Sequence, residues 1–346
     1  MKLAFVTPGD SLHTPPWAEE FSSAGHEVTV YAYPPVTMKW PGARVREVKA
    51  RGPLARGRWL RNAIAHDRPD IVVMHYASTD SFALSGLAVP LVISVWGSDI
   101  LRDLEGHAMK RALVHTALRR SALVISPAEH MTRRLEAMGV GPDRILTAQY
   151  GVDTSALHCE RPLRDAPVTV ISTRSFAPVY RVSDLIDAAA LMDRSLFKRI
   201  EVVGSGPLEG ALHDLARQNG AGDLVDFLGR IDAHGIANEL CNADIYVSTS
   251  ESDGTSLSLL EAMASGLPCV VSDIAANREW VDEKCGVLFP VGDAPALAAA
   301  IDALAADPAA RQAMGMVARE RVVERGDRAR NMTAIRHAIE KLLDAS

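Results

Sequence analysis

Residues 248–273 read STSESDGTSLSLLEAMASGLPCVVSD: a strand end, a small-residue loop, an amphipathic helix, a Gly-Pro stop and a second strand. No other stretch constrains the fold so tightly. Ile245, Tyr246 and Val247 supply a buried-strand run, and 250–256 gathers turn formers, two carboxylates and Gly254. Leu257, Leu260, Ala262, Met263 and Ala264 recur at helical spacing until Gly266 and Pro268 stop the helix. The spacing predicts a helix starting within 255–257, its unpaired N–H groups near Ser256, Leu257 and Ser258 aimed at the mouth of the loop. Their partial positive charge favours phosphate. Glu261, one turn in, would repel a second phosphate but can accept both hydroxyls of a ribose. Asp253 reads locally either as an N-terminal cap or as a ligand contact.

The same alternation of short apolar runs and helical stretches fills the chain. Strand-like runs fall at 3–7, 28–31, 71–76, 91–96, 122–127, 144–147, 168–173, 200–203 and 225–230, with helices between them, which predicts parallel α/β architecture. A length of 346 residues is long for one core and comfortable for two. The polar, proline-containing stretch 154–167 reads as a linker. The expected division is a lobe at 1–155, a linker at 156–166, a second lobe at 167–328 and a final helix at 329–346 returning to the first lobe.

The 248–273 block resembles the signature of the retaining GT-B glycosyltransferases, family 4 type, in which two glutamates with seven residues between them precede Ala-Met-Ala, Gly-x-Pro-Val-Val and Ser-Asp. Here the elements are Asp253, Glu261, Ala262-Met263-Ala264, Gly266-Leu267-Pro268-Cys269-Val270-Val271 and Ser272-Asp273, with aspartate in the first acid's place. The resemblance implies two Rossmann-like lobes facing across a cleft, an acceptor-side first lobe and a nucleotide-sugar-binding second one. It assigns the ribose to Glu261, the donor sugar to Asp253, and the diphosphate to the loop and helix start at Gly254, Thr255, Ser256, Leu257 and Ser258. Cations are expected at Arg174, which ends a strand, and at Arg181, which stands one residue after Tyr180 where the family carries Lys-Gly. A permanently charged, fork-shaped guanidinium suits a diphosphate; for Arg181 the alternative is a surface residue at a helix start. Gly204 and Gly206 would let backbone approach the nucleotide, and the loop containing Arg230 would read the base.

In the first half, the loop after the first strand, Pro8-Gly9-Asp10, lacks G-x-G-x-x-G, which disfavours a dinucleotide site. Gly9 and Asp10 are cleft candidates or a plain turn. Trp96 stands where the family often has a histidine, so no catalytic histidine is assigned there; Asp99 either contacts a sugar hydroxyl or caps the following helix. His75 ends another strand and is a secondary candidate against a structural role.

A net charge of −6 implies no bulk attraction to nucleic acid. Against it, Arg44, Arg46, Lys49, Arg51, Arg56, Arg58 and Arg61 cluster around Leu54, Trp59 and Leu60. That asymmetry suits peripheral contact with an anionic membrane, or else a solvated loop and helix face. Cys159, Cys241, Cys269 and Cys285 show no metal-like spacing; Cys241 and Cys269 read as small core residues, and with no signal-like N-terminal segment or membrane-length apolar run a reducing cytoplasm is the expected home.

The expected activity is transfer, with retention, of a hexosyl or N-acetylhexosaminyl unit from a nucleotide diphosphate-sugar, UDP-sugar favoured, to an acceptor hydroxyl in bacterial glycan, glycolipid or natural-product biosynthesis. No cofactor or metal is expected, there being no Asp-x-Asp or histidine cluster. Acceptors would be a glycan, a lipid-linked sugar or a small molecule. A GT-B-like epimerase or phosphorylase, or a noncatalytic sugar-nucleotide-binding partner, is the alternative.

Overall fold

The computed structural model describes residues 1–160, 165 and 167–344. These form two α/β units, Met1–Tyr150 with Arg330–Ser346, and Gly151–Ala329. Of the expected linker at 156–166, residues 161–164 and 166 lie outside the described residues.

The first unit contains β1 (Lys2–Pro8), α1 (Pro15–Ser23), β2 (Glu27–Tyr33), β3 (Ala43–Glu47), α2 (Pro53–Asp67), β4 (Ile71–His75), α3 (Thr79–Leu84), β5 (Leu91–Ser94), α4 (Ser98–Leu101), α5 (Ala108–Arg120), β6 (Leu123–Ser126), α6 (Glu129–Ala137) and β7 (Ile145–Thr147). Its sheet is parallel throughout, in the order β3-β2-β1-β4-β5-β6-β7. Alternate residues of β1 serve opposite faces: Leu3 and Phe5 pack with Trp17 and Phe21, whereas Ala4 and Val6 pack with Leu60 and Ile64. A strand buried on both faces explains why these runs are apolar without a polar alternation. Each fully buried Leu, Ile or Phe contributes about 1.5–3 kcal/mol.

The second unit contains β8 (Val168–Ser172), α7 (Val182–Ala189), β9 (Phe197–Val203), α8 (Glu209–Gln218), β10 (Val225–Gly229), α9 (Ala233–Asn242), β11 (Ile245–Ser248), α10 (Leu257–Ala264), β12 (Cys269–Ser272), α11 (Ala275–Arg278), β13 (Gly286–Phe289), α12 (Ala294–Ala306) and α13 (Pro308–Arg325). Its parallel sheet runs β10-β9-β8-β11-β12-β13. Strand order reverses between β1 and β4 in one sheet and between β8 and β11 in the other. The crevices beyond the carboxyl ends of those strand pairs are where open α/β sheets receive ligands.

The last helix, α14 (Arg328–Asp344), packs Met332, Ile335 and Ile339 into the Trp17–Phe21 core of the first unit. It is pinned there by Arg336 to Glu20 at 3.0 Å and by Glu340 to His26 at 2.8 Å.

Two expectations are corrected. Residues 43–47, part of the stretch read as a basic membrane-contacting patch or else a solvated loop and helix face, form the edge strand β3 parallel to β2; Arg44 is exposed, whereas Arg46 is half-buried and paired with Asp67. Cys241 is not a lone core thiol but is bonded to Cys159, with Cα atoms 5.5 Å apart; Cys269 and Cys285 are buried and not disulfide-bonded. The bridge removes one support for a reducing compartment.

Candidate donor site at the start of α10

Ser256 caps α10, its Oγ accepting from Leu259 N at 3.2 Å, and its carbonyl accepts from Leu260 N. Helix geometry then leaves the N–H groups of Leu257 and Ser258 without intrahelical acceptors, at the positive end of the helix dipole. Gly266, at φ 73, ends the helix in the left-handed conformation that glycine adopts without penalty.

Arg174, two residues beyond β8, lies across the switch crevice against this helix start. Its Nη1 donates to Ser256 Oγ at 2.6 Å and Ser258 Oγ at 2.8 Å, and its Nη2 to Asp253 Oδ2 at 2.6 Å. The Tyr180 ring stacks 4.1 Å from the guanidinium, and Tyr246 donates to Ser258 Oγ from below. Burial works against the charge on Arg174, but Asp253, Tyr246 and Tyr180 outweigh it and hold the pKa above its ordinary value. Its Nε is buried with no acceptor. An orphaned donor beside two open N–H groups is a cradle for an anion.

Glu261 lies one turn further along α10, half-buried. Burial pushes its carboxyl up to about 7, against a lowering pull from Arg328. A carboxylate held near its own pKa gains most from hydroxyl donors, which stabilise the charged form.

The structure thus brings Arg174, Asp253, Gly254, Ser256, Leu257, Ser258 and Glu261 to one helix start, with Thr255 in the same loop. Other candidates take different places. Arg181, at φ 45, turns to Asp184 at 2.7 Å and Glu251 at 3.8 Å rather than to the Arg174 cluster. Arg230 is exposed after β10. The missing side chains of Gly204 and Gly206 make room for protein: a Cβ on Gly204 would stand 2.2 Å from Arg174 O, and one on Gly206 2.8 Å from Phe176 backbone. These glycines let the β9 loop lie against the strand end that carries Arg174. Gly9 is likewise filled by its own unit, a Cβ there meeting Tyr33 O at 2.3 Å.

Asp99 does not reach an open surface. Its carboxylate is fully buried and accepts from Ala77 N at 2.8 Å, Gly97 N at 2.9 Å and Trp96 N, so it clamps the ends of β4 and β5 together. Burial raises its pKa to about 6 although the three N–H donors pull the other way. His75 is buried among Phe5, Trp17 and Trp96, and burial, with His13 nearby, lowers its pKa to about 3. Among the described residues no group of three or more His, Cys, Asp or Glu is placed to hold a metal ion.

Tyr180, Tyr246 and Arg328 escaped attention as site residues. Tyr180 and Tyr246 read as a departure from pattern and as a strand residue, and Arg328 lies 67 positions from Glu261 with no local signal at all.

Residues 154–321 match the family model for glycosyl transferases group 1, and residues 12–151 that for the glycosyl transferase 4-like domain. The N-acetyl-alpha-D-glucosaminyl L-malate synthase of Bacillus anthracis is 26% identical over 320 residues, 86% of this chain and 79% of that protein. Sucrose-phosphate synthase from Thermosynechococcus elongatus superposes with a TM-score of 0.85 at 18% identity, over 100% of both chains. Anabaena HepE in complex with UDP-glucose does so with a TM-score of 0.83 at 17% identity, over 99% of this chain and 100% of that one. At such identities the likeness to the two structures is one of fold.

Proposed function

The chain belongs to the group 1, GT4-type glycosyltransferases and has the GT-B fold, and on that footing we propose that it transfers a hexosyl or N-acetylhexosaminyl unit from a UDP-sugar, with retention, to an acceptor hydroxyl. The observation that carries the reading is the meeting, in the second unit, of two open helix N–H groups, the Arg174 fork and the Glu261 carboxylate. The diphosphate rests on Leu257 N and Ser258 N beside Arg174, and Glu261 accepts the ribose hydroxyls. As the C1–O bond to the diphosphate breaks, charge grows on the leaving oxygen, and fixed dipoles with a buried cation stabilise it without having to reorganise and without a metal. The acceptor oxygen bonds to C1 on the same face, and its proton passes to a diphosphate oxygen, so no pair of catalytic carboxylates is required. Asp253 contacts the donor sugar once the diphosphate shares Arg174.

The acceptor binds the first unit. Lys49, Arg51 and Arg58 are exposed around Leu54, which is 91% exposed, whereas Arg46 and Arg56 are paired to Asp67 and Asp80. This basic, apolar-tipped start of α2 suits peripheral contact with an anionic membrane. No helix among the described residues is long and apolar enough to cross one.

Calorimetric titration with UDP and GDP, followed by NMR of the product's anomeric carbon, tests the proposal. UDP binding that Glu261→Ala weakens, and a product with the donor's anomeric configuration, are expected. Indifference to nucleoside diphosphates, or an inverted product, would overturn it.

A further inference from the structure

Four ring-bearing side chains converge at the carboxyl edge of the first unit's sheet, beside the β1–β4 switch point. The His13 ring lies 4.8 Å from Trp96 and 6.0 Å from Tyr150, whose hydroxyl is hydrogen-bonded to His13 Nδ1. Tyr76 meets Trp96 edge-on at 5.7 Å. It holds φ 73, a conformation unusual for a bulky residue, with its hydroxyl bonded to Ser98 Oγ at 2.9 Å and to Asp103 at 2.6 Å. All four rings are partly exposed, and Leu12 beside them is 61% exposed.

Behind Trp96, at 6.2 Å, lies His75, fully buried with neither ring nitrogen hydrogen-bonded. Unsatisfied buried polar atoms are rare in cores and gather at functional sites.

We propose that this edge is the acceptor subsite and selects a neutral pyranose, with the Trp96 indole as the platform for the sugar's C–H face and His13, set by Tyr150, bonding a ring hydroxyl. The inference rests on the reading that the first unit receives the acceptor. A pyranose presents weakly positive C–H bonds on its faces and hydroxyls round its rim. An aromatic face carries negative quadrupole charge, and imidazole and phenol groups can each donate or accept. An anionic acceptor would instead meet the Asp103 carboxylate, whose cationic neighbour Lys110 stands 3.7 Å away and is already engaged with it.

Saturation-transfer NMR on the UDP-loaded enzyme, with methyl glucoside, methyl N-acetylglucosaminide, L-malate and glycerol 3-phosphate as probes, tests the inference. A pyranoside should receive saturation and the two anions should not. Trp96→Ala should raise the pyranoside's KM at least tenfold and remove its saturation signal, and Trp96→Phe should restore part of both. Saturation of malate or glycerol phosphate alone, or of no pyranoside, overturns the inference, as does an unchanged acceptor KM in Trp96→Ala. In those cases UDP still binds and the transferase reading stands; failure of UDP itself to bind would remove that reading instead.

Discussion

The loop after β5 in the first unit and the loop before α10 in the second are built from similar parts: a strand end, a glycine, an aspartate and a helix start. They treat the aspartate differently. Asp99 turns inward and fills the N–H groups of Ala77, Trp96 and Gly97, so that loop is closed by its own acid. Asp253 is drawn away by Arg174, and α10 is capped by a neutral serine that leaves two N–H groups open. An anion site therefore needs more than a helix N-terminus; the nearby acid must be held elsewhere. Arg174 does this while adding a positive charge of its own.

Arg174→Lys attacks the comparison at its centre, because a lysine keeps the charge but cannot hold Asp253 and both serines at once. Transfer should fall about 10²–10³-fold, the usual effect of losing one preorganised donor at a charge-developing oxygen. Steady-state release of nucleoside diphosphate, with circular dichroism as the check on folding, measures it. A tenfold or smaller loss would mean that Asp253 stays away from the helix without the fork.

The second effect is a pH dependence. The folded pKa of Glu261, about 7, lies above its unfolded value, so the folded state binds the proton more tightly. Stability from this group is fully present below the unfolded pKa and is lost as pH rises towards 7, by at most about 3 kcal/mol. Ribose hydroxyls bind the ionised form, so nucleotide affinity should rise over the same range in which the free protein loses stability. Glu261→Gln should flatten both trends, as melting curves and UDP titrations between pH 5 and 8 would record. Equal slopes in wild type and variant would place the titrating group elsewhere.

Asp99→Asn should act on stability and leave donor binding alone. An amide has one acceptor oxygen where the carboxylate serves three N–H donors, and leaving a buried donor unmet costs about 1–3 kcal/mol. Thermal melting should show the loss, while UDP affinity, a property of the second unit, stays within twofold. A change in UDP affinity would mean that the closed loop and the open one are coupled.

Much of this was legible in the sequence because it is local. The strand runs are short, apolar and bounded by turns, and the helix from Leu257 carries both its cap, Ser256, and its stop, Gly266, within a few residues of its ends. The proximity of Arg174 to that helix follows from the strand order of a parallel α/β unit. What was not legible depends on distant partners. Asp99 reads identically as a surface cap or a buried clamp until Ala77 is known to lie beside it. β3 alternates arginine with valine, and only its pairing with β2 distinguishes an edge strand from a charged loop. Cys159 and Cys241 are separated by 82 residues, and no spacing rule joins them. The Gly204 and Gly206 turn was visible, but whether such glycines admit a ligand or a neighbouring strand depends on where that neighbour runs.

The return of α14 has a consequence for how the molecule is made. Trp17 and Phe21 leave the ribosome before the second unit, but Ile335 and Ile339, which cover them, leave after it. The first half of the chain thus waits with an uncovered apolar face while the second half, whose core is complete by residue 329, can already have folded. A fragment ending at residue 150 should be the aggregation-prone one, and the lobe begun first should be the last to be finished.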